Sequence, residues 1–289
     1  MKAYFALPEG AARQVTDSTA VFAEFRRVQA QTQPYAGSMY WKQEGGYDYL
    51  VKTRPRRRTQ ERLGARSEQT ERLFGEYRAR KQALEARLKS LRGALTDAER
   101  MNKALKAGRT PGLVVALLGA LDDAGLSSHF TVVGTQALYA YETAAKVRIA
   151  PVARATQDED LLWDARERMQ FMTELDRLDA PILSVFRRAD PSFERKEGQS
   201  QTAINARGFE VDFLSVHGVR AEVLPRFEQV VIAATGRMAL MRTVVPSAFV
   251  EFKRWMARDA PKREEAELRR DRRQADLVQA LLDGKLLVA

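Results

Sequence analysis

Two carboxylates one residue apart, Asp158 and Asp160, stand in the run Arg154-Ala-Thr-Gln-Asp-Glu-Asp-Leu-Leu-Trp-Asp164. If residues 158–163 form a strand, alternation projects both acids to one side, close enough to repel. A divalent cation between them relieves that repulsion, and hard oxygen ligands suit Mg²⁺ (or Mn²⁺), which completes its shell with water and phosphate oxygens. A third acid comes from Gly208-Phe-Glu-Val-Asp-Phe-Leu214. A strand there places Phe209, Val211 and Phe213 on one face and Glu210 and Asp212 on the other. Either acid can complete a metal site; Asp212 is preferred because Val211 and Phe213-Leu214 around it imply a strand in the middle of a sheet. Gly134-Thr135 falls where an apolar strand turns into a helix. Glycine lets a phosphate approach the backbone, the threonine hydroxyl can donate to it, and the helix start adds free amides and a positive dipole.

The elements that must carry these residues alternate from residue 111 onward. Residues 113–121 read as an apolar helix, 129–134 as a short buried strand, 136–146 as a helix, 158–163 as a strand and 166–178 as a helix. Residues 201–206 and 209–216 form a hairpin around Gly208, 228–235 and 238–245 form another pair, and helices begin near Pro246 and Lys262. The N-terminal part differs. Residues 38–52 read as two strands around Gly45-Gly46, a dipeptide suited to the positive φ angles of a tight hairpin. From Thr59 to Leu95 the pattern is helical, with Leu73, Tyr77, Leu84, Leu88, Leu91 and Leu95 forming one apolar seam. Thr96-Asp-Ala-Glu99 reads as a capping box that opens a separate short helix over 97–107.

Composition narrows the chemistry. The 289 residues include no Cys and two His, which excludes disulfide frameworks, thiolate metal sites and cysteine nucleophiles and makes a multi-histidine zinc site improbable. With no apolar run near the ~18 residues of a membrane helix and no signal-peptide layout, a cytoplasmic address is expected. The formal net charge is +10. Residues 1–110 hold 23 Lys and Arg against 12 Asp and Glu, net +11, whereas residues 111–289 hold 25 against 26, net −1. The expected organisation is a basic region over 1–110, a core over 111–245 and C-terminal helices over 246–289 packing on that core.

The residues Val-Val-Gly-Thr-Gln-Ala-Leu-Tyr-Ala-Tyr-Glu142, Thr156-x-Asp-x-Asp-Leu-Leu162, Val211-Asp-Phe-Leu214 and the late Arg270-Asp-Arg-Arg-Gln-Ala275 resemble the nucleotidyltransferase-fold superfamily. Within it they are most similar to the GSU2403-type nucleotidyltransferase-fold proteins, and more distantly to the minimal and AbiEii-type transferases. The resemblance covers about residues 111–289. It implies an α+β, polymerase-beta-like fold, a mixed sheet flanked by helices, with an N-terminal hairpin and long helical region and C-terminal helices added. It implies that Gly134 and Thr135 bind triphosphate, that Asp158, Asp160 and Asp212 hold metal and are catalytic, and that the substrate is a nucleoside triphosphate such as ATP. Arg154 resembles a basic residue preceding the acidic pair, which holds a phosphate or neutralises the acids. Lys253 falls where related enzymes place a nucleotide-binding lysine; an ordinary solvated helix face is the other reading. Asp271 and Gln274 fit the same site or an interhelical contact. Thr135 replaces the usual Gly or Ser, 22 residues separate it from Asp158, and Glu159 stands at a normally apolar position.

Two functions follow. One is metal-dependent transfer of NMP to an acceptor hydroxyl. The other is a non-catalytic module that uses its basic N-terminal region to bind RNA, another polyanion or a protein partner; the AbiEii resemblance adds a toxin–antitoxin or phage-defence role. Arg54, Arg56, Arg57 and Arg58, with Lys42 and Lys52, stand beside Tyr40, Trp41, Tyr47 and Tyr49. They either stack bases and hold phosphates, or the aromatics pack the hairpin onto a neighbour. His217, before Gly218, is read as a turn residue. The oligomeric state, the acceptor and the base preference have no signature in the sequence.

Overall fold

The computed structural model describes residues 4–54, 59–149, 168–173, 180–215, 225–258 and 264–288. Arg56–58, Arg154, Asp158, Asp160 and His217 lie outside the described residues. The chain forms two compact units, Asp17–Ala98, and Met1–Thr16 with Glu99–Ala289. Among the described residues, no helix is long and apolar enough to cross a membrane.

The larger unit begins with β1 (Tyr4–Ala6) and the first residues of α1 (Glu9–Thr32). After Glu99 come α3 (Gly112–Asp123), β5 (Thr131–Val133), α4 (Leu138–Ala145), β6 (Val147–Ile149), β7 (Arg168–Thr173) and α5 (Ala180–Ala189). Then follow β8 (Glu194–Arg195), β9 (Thr202–Ile204), β10 (Glu210–Ser215), β11 (Arg226–Ile232), β12 (Met238–Val244), α6 (Pro246–Arg258) and α7 (Glu265–Asp283). Among the described residues, seven strands form one mixed sheet in the order β11-β12-β5-β7-β10-β9-β8, and β1 pairs separately with β6.

Helix α3 explains its own position. Val114, Val115, Leu117, Leu118, Ala120 and Leu121 are all buried, so it is an internal helix, packed against α5 and β12. Phe130, Phe171, Phe186 and Phe213 join β7, β10 and α5 in tilted and edge-on ring contacts at centroid separations of 5.3–6.4 Å. The parallel pair β12 and β5 shares one register position, Thr243 opposite Val132, and the buried Thr243 hydroxyl donates to the Val132 carbonyl at 2.7 Å. Tyr141 caps the same junction by donating to the Val244 carbonyl at 2.7 Å; its burial pushes the phenol pKa up, so the group stays neutral.

The reading of residues 166–178 as a helix is corrected here, because residues 168–173 form β7. Arg-Met-Gln-Phe-Met-Thr alternates burial, with Met169, Phe171 and Thr173 inward, and it pairs antiparallel with β5 and parallel with β10. Gln and Met are good helix formers locally, and tertiary pairing overrides that preference. The two hairpins expected around Gly208 and before residue 245 are present as β9-β10 and β11-β12.

The smaller unit contains most of α1, then β2 (Met39–Glu44), β3 (Tyr47–Arg54), β4 (Thr59–Ala65) and α2 (Glu68–Ala104) up to Ala98. The Gly45-Gly46 hairpin is as expected, with φ angles of 63° and 83°. The helix does not begin at Thr59. Residues 59–65 pair with β3, and the helix start is fixed by Ser67 and Thr70, whose backbone amides bond each other's hydroxyls at 2.9 and 3.3 Å. No second helix opens at Thr96 either. Its hydroxyl donates to the Arg92 carbonyl four residues back at 3.0 Å, leaving Thr96 inside a continuous α2. Tyr77, Leu84, Leu88 and Leu91 of the expected seam are buried, while Leu73 is exposed.

Gly236 closes the β11-β12 turn at φ 91°, and a Cβ there would lie 1.9 Å from the Glu99 backbone carbonyl. Asn102 donates to the Gly236 carbonyl at 3.1 Å from the same helical turn. Gly236→Ala should therefore destabilise the protein by about 2 kcal/mol or more, because strain and overlap add. Urea denaturation followed by circular dichroism measures this directly.

Candidate active site

Strands β7 and β10 turn one face into the core and present the other to the candidate site. Val211 and Phe213 are buried among the phenylalanines, so alternation sends Glu210 and Asp212 to the opposite side, as the sequence pattern requires. Asp212 is only 5% exposed. Its Oδ1 accepts from the Thr202 hydroxyl at 2.8 Å, across the β9-β10 ladder, and its Oδ2 accepts from the Arg168 guanidinium. The hydrogen bond to Asp212 raises the Arg168 pKa above its ordinary value, against an opposing effect of burial; the fields of Glu210 and Glu267 act in the same direction as Asp212. Glu210 is further paired with Lys196.

The Gly134-Thr135 turn lies at the same end of the sheet. Val133 is opposite Gln170 on β7, and Gln170 is in register with Asp212 on β10, so one cross-strand row runs from the turn to the acid. Gly134 has φ 73°, and an added Cβ would stand 2.9 Å from Gln170 Oε1. Glycine is needed there for backbone conformation and for space. The chain then makes a 3-10 turn over Gly134–Ala137 and enters α4. Gln136 Nε2 donates to the Arg168 carbonyl at 3.2 Å, tying this turn to the start of β7.

Helix α7 braces the other side. Gln274 Nε2 donates to Thr135 Oγ1 at 2.9 Å. One helical turn earlier Asp271, fully buried, accepts from Lys253 Nζ of α6 at 2.6 Å. Lys253 is 6% exposed and stands 5.7 Å from the Phe249 ring centroid, so the alternative of a solvated helix face is corrected. Phe249, Val250 and Ala257 of α6 are buried on the same face, and Lys253 points inward with them. Glu142, at the end of the turn's own helix, is 2% exposed and accepts from Arg109 Nε at 2.8 Å, Arg148 at 3.1 Å and the Ile149 amide at 3.1 Å. That network anchors β6 where the chain departs toward Arg154.

A model of the nucleotidyltransferase family matches residues 113–224 and 220–287. The chain belongs to this family. No curated protein and no solved structure matches it. The family match spans the Gly134-Thr135 turn, Asp212, Lys253 and Asp271. Arg54 of the basic region is ion-paired with Glu61 at 2.5 Å.

Four residues of the candidate site had no part in the sequence reading: Arg168, Gln170, Thr202 and, as a neighbour of Asp212, Glu267. The alternation in 168–173 was the available signal for the first two, masked by Met172 on the polar face. Nothing local marks Thr202; only its cross-strand register brings it to Asp212.

The Lys253–Asp271 pair yields a stability prediction. Removing one partner leaves a buried charge without its counter-ion, so Lys253→Met should cost about 3–5 kcal/mol in a denaturant titration. Lys253→Met/Asp271→Leu should recover most of that loss.

Proposed function

We propose that the protein is a Mg²⁺-dependent nucleotidyltransferase that moves NMP from a nucleoside triphosphate to an acceptor hydroxyl on RNA, protein or a small molecule. The observation that supports this most is Asp212, a buried carboxylate on an interior strand of the sheet, at the end that also carries the Gly134-Thr135 turn. In this reading the polymerase-beta-like core is residues 111–245, with residues 246–289 packed on it and residues 1–110 as an accessory basic region. Asp158 and Asp160 join Asp212 as the acidic set, Arg154 and Lys253 assist the nucleotide, and the protein acts in the cytoplasm.

The donor set suits a hard dication. Asp212 already holds a cationic guanidinium at Oδ2, and Glu210 and Glu267 add negative field around it, so this end of the sheet favours positive charge. A Mg²⁺ or Mn²⁺ ion held by Asp158, Asp160 and Asp212 would neutralise phosphate charge and make the acceptor hydroxyl easier to deprotonate. The chain's own groups position the rest. Because Gln274 donates to a lone pair of Thr135, the Thr135 hydroxyl proton is left to point elsewhere, toward a phosphate oxygen. The positive φ at Gly134, with the Gln170 side chain lying where a Cβ would stand, fixes the shape of the turn. Thr202 orients the Asp212 carboxylate. In-line attack by the acceptor oxygen on the α-phosphorus forms the new P–O bond, the bond to the β-phosphate bridging oxygen breaks, pyrophosphate leaves, and the acceptor proton passes to solvent.

A second reading is a non-catalytic family member that binds nucleic acid or a protein partner. It is favoured by the occupation of both Asp212 oxygens by Thr202 and Arg168. Incubation with labelled nucleoside triphosphates and Mg²⁺ or Mn²⁺ separates the two. Asp212→Asn and Asp158→Ala/Asp160→Ala should each lower labelled-product formation by about 10²-fold or more. No metal-dependent nucleotide binding in the wild type, or acidic variants that match it, would overturn the transferase reading. Thr135→Val should weaken triphosphate binding about tenfold, the loss of one charge-assisted hydrogen bond, while Thr135→Ser retains it; isothermal titration calorimetry reads both.

A further inference from the structure

The three-stranded sheet of the smaller unit has two chemically different faces. Strand register assigns them, because directly opposed residues share a side. Trp41 is opposite Leu50, and Met39 opposite Lys52. This face packs on α2: Met39 and Leu50 are buried with Tyr77, Trp41 stacks edge-on against Phe74 at 5.8 Å, and Lys52 lies 5.5 Å from the Tyr77 ring. The other face carries the row Tyr40, Val51 and Arg62, then Lys42 opposite Tyr49, then Glu44 opposite Tyr47. Of the four aromatic residues in the hairpin, Trp41 packs on α2 and three tyrosines lie on the other side, where Val51 is buried, Tyr40 and Tyr49 are half-buried and Tyr47 is exposed.

We propose that this outer face binds single-stranded nucleic acid, with Tyr40, Tyr47 and Tyr49 stacking bases and Lys42 and Arg62 holding phosphates. Tyr47 is 67% exposed, unusual for a large ring without a partner, and lies two residues from Tyr49 on one strand, about 7 Å away by strand rise. The Tyr49 ring already accepts a planar, delocalised group: the Arg62 guanidinium carbon stands 3.1 Å from its centroid. A base offers the same flat geometry. Charge selects the partner class. Residues 38–66 hold eight Lys or Arg against three Asp or Glu, net +5. Aromatic faces interleaved with cations match a strand of bases on a phosphate backbone; a duplex, whose bases are already stacked, would use the cations alone. The proposal deepens the reading in which RNA is the acceptor, but needs neither triphosphate nor metal.

The test uses the full chain and a fluorescein-labelled single-stranded oligonucleotide of about 12 nucleotides, followed by fluorescence anisotropy without triphosphate or divalent metal. Tyr47→Ala and Tyr49→Ala should each weaken binding about tenfold while leaving the slope of log K against log salt unchanged. Lys42→Ala and Arg62→Ala should each reduce that slope by about 0.7. Tyr47→Phe should bind as the wild type does. Tyr47 is too exposed to support the fold, so an unchanged melting temperature for Tyr47→Ala shows that the loss is one of stacking. Equal affinity for a duplex, unaltered binding by both tyrosine variants, or no binding at low salt would overturn the proposal. Asp212→Asn should bind the oligonucleotide normally, so failure of the transferase reading and failure of this one are separate results.

Discussion

The two-residue period of β10 is the constraint on which the site depends. Val211 and Phe213 enter a cluster of phenylalanines from β7, α5 and the residue before β5, and this burial leaves Asp212 no choice of face. A one-residue register slip would bury Glu210 and Asp212 in that cluster and expose Val211 and Phe213. Burying two carboxylates among aromatic rings costs far more than any local gain could offset. The core thus sets the orientation of the acid, and the parallel pairing with β7 brings Gln170 and Arg168 beside it.

Buried polar contacts complete what the apolar core cannot specify. Helix α7 contributes Asp271 to Lys253 and Gln274 to Thr135 from one inward stripe, so the position of the Gly134-Thr135 turn is linked to the packing of the two C-terminal helices. Glu142 plays the corresponding role on the other side of the turn, drawing Arg109, Arg148 and the Ile149 amide together. Such contacts stabilise little in net terms, because each charge must first be desolvated. Their directionality is what counts: a hydrogen-bonded carboxylate or amide has few acceptable positions, whereas an apolar side chain has many.

The smaller unit applies the same alternation to a different end. Its sheet places one aromatic face on α2 and leaves the opposite face with tyrosines and cations. Gly37 marks the tight join, since a Cβ there would meet the Thr53 carbonyl at 1.9 Å, and its own carbonyl accepts from Tyr77 at 2.9 Å and Lys81 at 2.7 Å. The positive charge that dominates the N-terminal sequence is partly spent on internal pairs, among them Arg54 with Glu61 and Arg66 with Asp48 and Glu71.

Several features were legible in the sequence because they depend on neighbours a few residues away. The Gly45-Gly46 hairpin, the alternation around Asp212, the apolar α3 and the Gly134 turn all follow from backbone preference or from periodicity. The family was legible as a resemblance carried by the motifs around Gly134, Asp158, Asp212 and Asp271, and the family match bears it out. What the sequence did not decide was any feature whose energy lies in distant contacts. Residues 168–173 have helix-compatible side chains and become a strand only because β5 and β10 supply hydrogen bonds on both edges. Thr96 has the form of a cap, yet its hydroxyl bonds back within a helix that continues past it. Thr202 meets Asp212, and Gln274 meets Thr135, across 10 and 139 residues of chain. Local sequence determined which groups point together along each element; only tertiary packing decided which elements became neighbours, because that choice is made by burial and pairing summed over the whole sheet.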